Sequence, residues 1–319
     1  MYGGDSTQVQ ELLRNVQQIQ SNAHAFAAIL GDGTVVTWGD PDHGGNSSKV
    51  QDQLRNVQQI QSTSSAFVAV LQDGTPVVWG HPSWGGRCAS AHQWRVQKVQ
   101  STKDGSAFAA VADGRVVTWG MLDDLALEEA KDFGVAVLEL QSTSYAFAAL
   151  LADHRVVTWG LANRGGDSTA VADQLQNVQR IQATHFAFCA LLADGQVVTW
   201  GHPNYGGDSS RVQDELQEVQ QIQSTEGAFA AILADGSVVA WGSPDFGGDA
   251  SAVQPQLRNI RHLAASERAF AAISSDGAVV AWGAAEYGGD CTDVDLRSWL
   301  WTWWDMVSWM GGPWINWMS

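Results

Sequence analysis

The chain has 319 residues, of which 45% are hydrophobic and 16% charged, and its formal net charge is −17. This balance is typical of a folded globular protein and excludes a disordered one. Nucleic acids and anionic membranes are poor candidate partners, because binding to phosphates depends on clusters of Lys and Arg and the 17 basic residues form no run.

The N-terminal residues MYGGDSTQVQELLRN contain neither a basic segment nor an apolar one. We therefore expect no secretory signal and favour a cytoplasmic location. The three cysteines, Cys88, Cys189 and Cys291, lie far apart. This spacing predicts free thiols in a reducing compartment and gives neither a paired disulfide framework nor a zinc site.

A Trp-Gly pair recurs along the chain at intervals of 40 or 41 residues. Its tryptophans are Trp38, Trp79, Trp119, Trp159, Trp200, Trp241 and Trp282. Each copy contains a VQQIQST-like run, an AFAAIL-like run, a VVTWG-like run and a polar loop that usually contains Gly-Gly. A period of this length indicates a repeat architecture.

An Asp-Gly pair separates the second and third runs in six copies, and Asp153-His154 replaces it in the other. Asp-Gly between two apolar runs predicts a tight hairpin, because the turn needs positive φ. Each copy is therefore predicted to form at least three antiparallel strands. Small sheets in series either extend as a rod or close as a propeller, and seven copies lie within the usual range of about 4 to 8 blades.

The chain begins on half of a repeat unit and reaches the matching half at Tyr287-Gly288-Gly289-Asp290. We expect residues 2–20 to complete the last blade and close the ring, because closure removes the exposed edges of the sheets. The alternative is a chain that only begins within a repeat.

The copies resemble the repeats of the regulator-of-chromosome-condensation (RCC1) family. Residues 181–210, IQATHFAFCALLADGQVVTWGHPNYGGDSS, keep the lengths of the family pattern and its D-G-x-V-V-x-W-G core. The short period is similar to that of compact bacterial members such as β-lactamase inhibitor protein II. The resemblance covers residues 2 to about 290. It implies an all-β fold, a seven-bladed β-propeller, which we assign to residues 1–296.

The resemblance constrains function only loosely, because such propellers host unrelated activities. We interpret the chain as a non-enzymatic protein–protein interaction scaffold, as a fragment or module of a larger regulatory protein of the HERC type. One alternative is a guanine-nucleotide exchange factor for a small GTPase, but the wedge and basic tails of such members are not visible here. The other is an enzyme-inhibitor propeller that caps its target with a ring of loops.

Partner specificity is expected where the copies differ, because shared positions build the scaffold. The loop after Trp-Gly has one variable slot, which is aromatic in most copies and Arg164 in one. These side chains are predicted protein-binding anchors, with packing onto their own hairpins as the alternative. The aromatic and imidazole members of the slot are His43, Trp84, Tyr205, Phe246 and Tyr287.

One copy replaces this loop with MLDDLALEEAKDF after Gly120. We predict a short acidic helix from Met121 to about Lys131. Its acidic residues could contact a basic partner, or they could simply be a solvated variant of the repeat. They are Asp123, Asp124, Glu128 and Glu129.

Residues 297–319 form a tail outside the repeats with seven of the 16 tryptophans. We consider three explanations for this tail: an interfacial membrane anchor, a docking peptide or a non-native sequence, without a stable membrane span. No cofactor, catalytic or metal motif occurs, and a monomer is expected. Asp40, Asp42 and Asn46 resemble a cluster of oxygen ligands, but the sister loops vary too freely at these positions for a repeated metal site.

Overall fold

The structure is a computed structural model that describes residues 4–103, 105–122 and 125–291, with the backbone alone at 122 and 125–130. The described residues form seven antiparallel sheets, one for each copy of the repeat. We call these sheets blades 1 to 7 in chain order. We call the three strands of each repeat inner, middle and outer, in chain order. In every blade they pair in that same order.

The strands have the following bounds. Blade 1 contains β1 (Val16–Ser21), β2 (Ala25–Leu30) and β3 (Val35–Gly39), and blade 2 contains β4 (Val57–Ser62), β5 (Ala66–Leu71) and β6 (Pro76–Gly80). Blade 3 contains β7 (Val96–Ser101), β8 (Ala107–Ala112), β9 (Arg115–Leu122) and β10 (Leu125–Asp132). Blade 4 contains β11 (Val137–Ser142), β12 (Ala146–Leu151) and β13 (Val156–Gly160), and blade 5 contains β14 (Val178–Ala183), β15 (Ala187–Leu192) and β16 (Val197–Gly201). Blade 6 contains β17 (Val219–Ser224), β18 (Ala228–Leu233) and β19 (Val238–Gly242), and blade 7 contains β20 (Ile260–Ala265), β21 (Ala269–Ser274) and β22 (Val279–Gly283).

The Asp-Gly pairs form the predicted turns between the middle and outer strands. In blade 1, Gly33 has a φ of 77° and its N–H donates to the Leu30 carbonyl at 2.9 Å. The Asp32 carboxylate accepts hydrogen bonds from the hydroxyl and the N–H of Thr34, at 2.7 and 2.9 Å. These bonds hold the pKa of Asp32 below its ordinary value, with the hydroxyl contributing most.

The hydrophobic core is divided among the interfaces between successive blades. In the first interface, Ala25 and Ala27 of blade 1 face Ile60, Phe67 and Trp79 of blade 2. The alanines allow the sheets to approach closely, and the larger side chains fill the space between them. Equivalent clusters join every following pair of blades up to blades 6 and 7.

At five of the six interfaces between successive blades, all except that of blades 3 and 4, a glycine in the loop of one blade packs against the next blade. Gly44, at a φ of 100°, lies so close to Phe67 of blade 2 that an added Cβ would be 2.6 Å from its ring. Trp79 stacks on Phe67 and donates its Nε1–H to the Gly44 carbonyl at 3.0 Å. The indole therefore packs within its own blade and also hydrogen-bonds to the preceding one. The same bond joins Trp119 to Gly85, Trp200 to Gly165, Trp241 to Gly206 and Trp282 to Gly247.

The acidic helix predicted from Met121 to Lys131 is wrong. The strand β9 continues beyond Gly120 to Leu122, and β10 returns along it as a fourth, outermost strand of blade 3. Helix propensity is a weak preference, and pairing with an existing strand edge overrides it. The chain then leads to Phe133, which packs beside Trp159 of blade 4.

The blades surround a central channel. The inner strands of blades 2 to 7 line one cavity of about 1090 Å³. Lys103 of blade 3 reaches across it and donates to the Ala183 carbonyl of blade 5 at 2.6 Å. A rod of stacked sheets would not bring these strands around one space, so the fold is a propeller.

The predicted closure of the ring by residues 2–20 is not formed by the described residues. Residues 4–13 contain turns and no strand, and blade 7 takes all three of its strands from its own repeat. Ile19 of blade 1 is 50% exposed, whereas the equivalent Ile60 is fully buried. A Cβ added to Gly288 would meet nothing within 4 Å, although the matching glycines contact a phenylalanine of the next blade. The seventh blade has the three strands of its own repeat, and residues 4–13 add no fourth strand to it.

The Trp-rich tail, residues 297–319, lies outside the described residues. Within the part of the chain that is described, no helix has the length and apolar character needed to cross a bilayer.

Candidate functional site

The variable loops lie at the end of each blade where the outer strand finishes. The turn between the inner and middle strands lies at the same end, because antiparallel strands alternate in direction. In six blades the loop begins with a short 3₁₀ turn, such as Pro203–Tyr205 in blade 5 and Pro244–Phe246 in blade 6. We call this end of the propeller the top face.

A polar residue after the inner strand fixes each of the six loops: it is a hydroxyl residue in five blades and Asn22 in blade 1, whose amide donates to the His43 carbonyl at 2.8 Å. Thr184 donates its hydroxyl to the Tyr205 carbonyl at 2.9 Å, and Thr225 donates in the same way to Phe246 at 2.9 Å. The variable side chains therefore project from a backbone that is held in place. Equivalent bonds join Thr63 to Trp84, Thr143 to Arg164 and Ser266 to Tyr287.

Aromatic and cationic side chains form a continuous series on the top face of blades 4 to 7. We call this series the aromatic ladder. Its members are Tyr145, Arg164, Phe186, His202, Tyr205, Phe246, Arg268 and Tyr287. All eight side chains are half-buried.

Phe186 occupies the centre of the first half of the ladder. The Arg164 guanidinium lies 4.0 Å from the centre of its ring, and Tyr205 meets it edge-on with ring centres 4.6 Å apart. Tyr145 of blade 4 stacks on it at 6.1 Å. The loop and the turn of blade 4 and the loop of blade 5 therefore meet at Phe186.

Arg268 connects the second half of the ladder. Its guanidinium lies 5.0 Å from the ring centre of Phe246 and 4.8 Å from that of Tyr287. Phe246 in turn lies 6.0 Å from Tyr205 of blade 5. A Cβ on Gly227 would be 2.7 Å from the Phe246 ring, so this glycine allows the ring to lie against the turn of its own blade.

A smaller cluster occupies the top face of blades 1 and 2. The rings of His24 and His43 are 4.3 Å apart, and His81 lies 6.0 Å from His43 and 6.3 Å from Trp84. His43 also lies 3.2 Å from the Asp40 carboxylate. Trp84 is 36% exposed, more than any ladder residue.

The structure brings the five predicted loop residues to one face. Tyr205, Phe246 and Tyr287 enter the ladder, and His43 and Trp84 lie in the smaller cluster. Tyr205, Phe246 and Tyr287 each contact the turn of their own blade, as the packing alternative expects, and Tyr205 and Phe246 also contact each other across blades. Their role as protein-binding anchors stays a prediction. Sequence reasoning missed Tyr145, Phe186 and Arg268. These residues immediately precede the middle strand, at a position that also varies among the copies.

The predicted acidic patch has no described side chains. Asp123 and Asp124 lie outside the described residues, and Glu128 and Glu129 belong to the part of β10 for which only the backbone is described. Their role in partner binding stays a prediction.

The oxygen cluster of blade 1 stabilises the loop backbone. Asp40 accepts a hydrogen bond from the N–H of Asp42 at 2.9 Å, and Asn46 accepts one from the N–H of Ser48 at 2.9 Å. These local bonds are typical of turn residues. Among the described residues, no group of three His, Cys, Asp or Glu side chains is placed to hold a metal ion.

The ladder changes the titration of one histidine. Burial lowers the pKa of His202, and the positive charge of Arg164 lowers it further. His202 is therefore expected to be neutral at neutral pH, which suits its position beside the Tyr205 ring at 5.2 Å.

No protein-family model and no curated protein sequence matches the chain. Solved structures do show similar folds. The CRINKLY WD40 ectodomain of the receptor kinase ACR4 from Arabidopsis thaliana is 17% identical, with 82% of this chain and 93% of that one covered and a TM-score of 0.46. Yeast RCC1 (Prp20), solved bound to Kap60, is 14% identical, with coverages of 88% and 72% and a TM-score of 0.47. The computationally designed Ika8 protein is 17% identical, with coverages of 86% and 85% and a TM-score of 0.40.

The class of protein follows from the molecule's own geometry. The chain forms seven blades of one repeating sheet, the inner strands of blades 2 to 7 line one channel, and the differing loops share one face. The chain has an RCC1-like, seven-bladed β-propeller fold.

Proposed function

We propose that this propeller is a non-catalytic protein-interaction module and that its partner binds the aromatic ladder. The observation that carries the proposal is the continuity of the ladder across four blades. Aromatic and arginine side chains dominate the energetically important centres of protein interfaces. Here they form one half-buried series at positions where the repeats diverge.

The ladder is suited to binding because its side chains are already ordered. Phe186 lies between Arg164 and Tyr205, and the Tyr205 loop is fixed by Thr184. Ordering a free side chain at an interface costs about 0.5–1.5 kcal/mol. A surface that is ordered before the partner arrives avoids most of this cost.

The charge of the ladder fits a protein partner better than a strongly charged polymer. Arg268 lies 4.0 Å from the Glu226 carboxylate, so part of its charge is balanced locally. Stacked arginines keep apolar faces available for contact while their N–H groups bind carbonyl and carboxylate oxygens.

Narrower versions of the function remain hypotheses. As a module of a larger regulatory protein of the HERC type, the propeller would supply only the binding face. An enzyme inhibitor would use the same face to cap its target. A guanine-nucleotide exchange factor would need a protruding element, and the β9–β10 hairpin is the feature to test. A nucleotide-release assay distinguishes the exchange-factor version from the others. It compares the parent with a variant that lacks the part of the β9–β10 hairpin beyond Gly120.

The proposal is tested by comparative affinity capture from the native source. The ladder variant carries Tyr205→Ala and Phe246→Ala. The matched control carries Gln196→Ala and Ser237→Ala at the opposite end of the same two blades. Circular dichroism first establishes that both variants are folded.

We expect proteins that bind the parent and the control to be lost from the ladder variant. Each hot-spot truncation costs about 2 kcal/mol or more of binding free energy. Equal retention of the same proteins by the ladder variant would contradict the proposal.

A further inference from the structure

The central channel differs in charge from the rest of the protein. The chain has a formal net charge of −17. Among the described residues, the channel is lined by four cationic side chains and one carboxylate, Glu139. The cations are Lys98, Lys103, Arg180 and Arg261, and His262 lies beside the last of them.

The cations occupy positions at which the repeats diverge. The third residue of the inner strand is glutamine in blades 1, 2 and 6. In blades 3, 5 and 7 the same position holds Lys98, Arg180 and His262. The scaffold tolerates glutamine here, so folding alone does not require the positive charges.

Lys103 comes from a turn found only in blade 3. In blade 3, Ala107 follows Thr102 by five positions, whereas in blade 2 the equivalent Ala66 follows Thr63 by three. The segment between the inner and middle strands is therefore two residues longer in blade 3. The side chain lines the channel, and its ammonium donates to the Ala183 carbonyl at 2.6 Å. Burial among the channel walls lowers the pKa of Lys103 to about 8, and the Glu226 carboxylate acts in the opposite direction.

The one channel carboxylate does not neutralise these cations. Glu139 accepts hydrogen bonds from the N–H of Ile181 at 3.2 Å and from the Gln141 amide at 2.8 Å. Within the described part of the chain, no carboxylate oxygen lies within 4.0 Å of a channel lysine or arginine nitrogen. Among the described residues, the channel lysines and arginines therefore form no close ion pair with a carboxylate.

We propose that the channel binds a small anion that carries several phosphate groups. Arginine and lysine side chains from blades 3, 5 and 7 surround the space and would contact phosphates on different sides of one molecule. Ten glutamines along the walls supply amide N–H donors and carbonyl acceptors for the remaining oxygens and hydroxyls. The volume of about 1090 Å³ is close to that of small-molecule sites.

Size selects a small anion over an extended one. A long polyanion would extend out of the channel and remain in contact with the acidic exterior, which repels it. A compact molecule inside the channel meets mainly the cationic lining. An acidic peptide is a different ligand class and is an outcome of the test.

The test is isothermal titration calorimetry of the full chain with defined probes at low and high salt. The probes are inositol hexakisphosphate, inorganic tripolyphosphate, adenosine triphosphate, inorganic phosphate and a poly-glutamate peptide. The channel variant carries Arg180→Gln and Arg261→Gln. It restores the glutamines of sister blades, so it is expected to fold. The control carries Arg55→Gln and Arg211→Gln, on exposed arginines that do not line the channel.

We expect at least one multiply phosphorylated probe to bind more tightly than inorganic phosphate, with an affinity that falls as salt increases. The channel variant should bind at least tenfold more weakly, and the control should stay within twofold of the parent. The relative affinities of the inositol, nucleotide and tripolyphosphate probes identify the source of the phosphates. Binding of none of the phosphate probes, equal binding by the channel variant, or a preference for poly-glutamate would each overturn the proposal.

Discussion

Replacing single tryptophans with phenylalanine measures the hydrogen bond that joins an indole to the preceding blade at five of the six interfaces. In Trp241→Phe, the change removes an N–H that donates to the Gly206 carbonyl at 3.1 Å. In Trp159→Phe, it removes a buried N–H that has no hydrogen-bond partner among the described residues. The two indoles are 4% and 7% exposed and stack on the equivalent Phe229 and Phe147, so the loss of ring volume is matched.

The expected difference comes from the hydrogen bond alone. A buried acceptor left without its donor costs about 1–3 kcal/mol, whereas removing an unsatisfied donor costs nothing of this kind. We expect Trp241→Phe to lower the free energy of unfolding by about 1–3 kcal/mol more than Trp159→Phe. Urea denaturation followed by far-ultraviolet circular dichroism gives the midpoints and slopes. Equal losses, or a larger loss for Trp159→Phe, would refute the role assigned to the bond.

Three further predictions concern the interfaces and the turns. Gly206→Ala should destabilise the protein more than Gly288→Ala in urea denaturation, because both positions have positive φ but an added Cβ meets the Phe229 ring at 2.5 Å only at Gly206; equal effects would show that backbone conformation alone matters. Trp38→Ala should cost less stability than Trp79→Ala, because Trp38 is only half-buried and Trp79 is 4% exposed; equal costs would indicate that the ring closes in solution. Hydrogen bonds from the Ser237 hydroxyl and N–H lower the pKa of Asp235 in the folded state, so its contribution is present above the ordinary pKa of about 3.9 and is lost as pH falls through the lower folded value. Asp235→Ala should therefore lose less stability than the parent between pH 6 and pH 2, and identical pH profiles would contradict this assignment.

The repeat made the strands and turns predictable from the sequence. The Asp-Gly pairs located the hairpins because positive φ restricts which residues can form the turn. The seven Trp-Gly pairs fixed the number of blades. The hydrogen bond from five of the indoles to the preceding blade was not predictable, because it depends on how two sheets pack and not on a local pattern.

The residues from 121 to 131 show where local reasoning failed. Their composition favours a helix, but they follow a strand whose free edge offers backbone hydrogen bonds. Pairing along that edge satisfies the backbone hydrogen-bonding groups of the segment better than an isolated helical turn would. Only the position of β9 in the sheet reveals this alternative.

The candidate site was predictable in part. The variable loop slot identified Tyr205, Phe246 and Tyr287 because their repeats differ there. The same comparison applied to the residue before each middle strand would have added Phe186 and Arg268. Their contacts with the loops could not be deduced, because they depend on the spacing between neighbouring blades.

Site-specific photo-crosslinking tests directly whether a protein partner binds the aromatic ladder. A photoreactive phenylalanine analogue is placed at position 246 in the ladder or, as a control, at position 237 at the opposite end of blade 6. Both proteins are irradiated in extract from the native source. We expect a defined protein adduct from position 246 and none from position 237. The same adducts from both positions, or an adduct from position 237 alone, would contradict a binding face on the aromatic ladder.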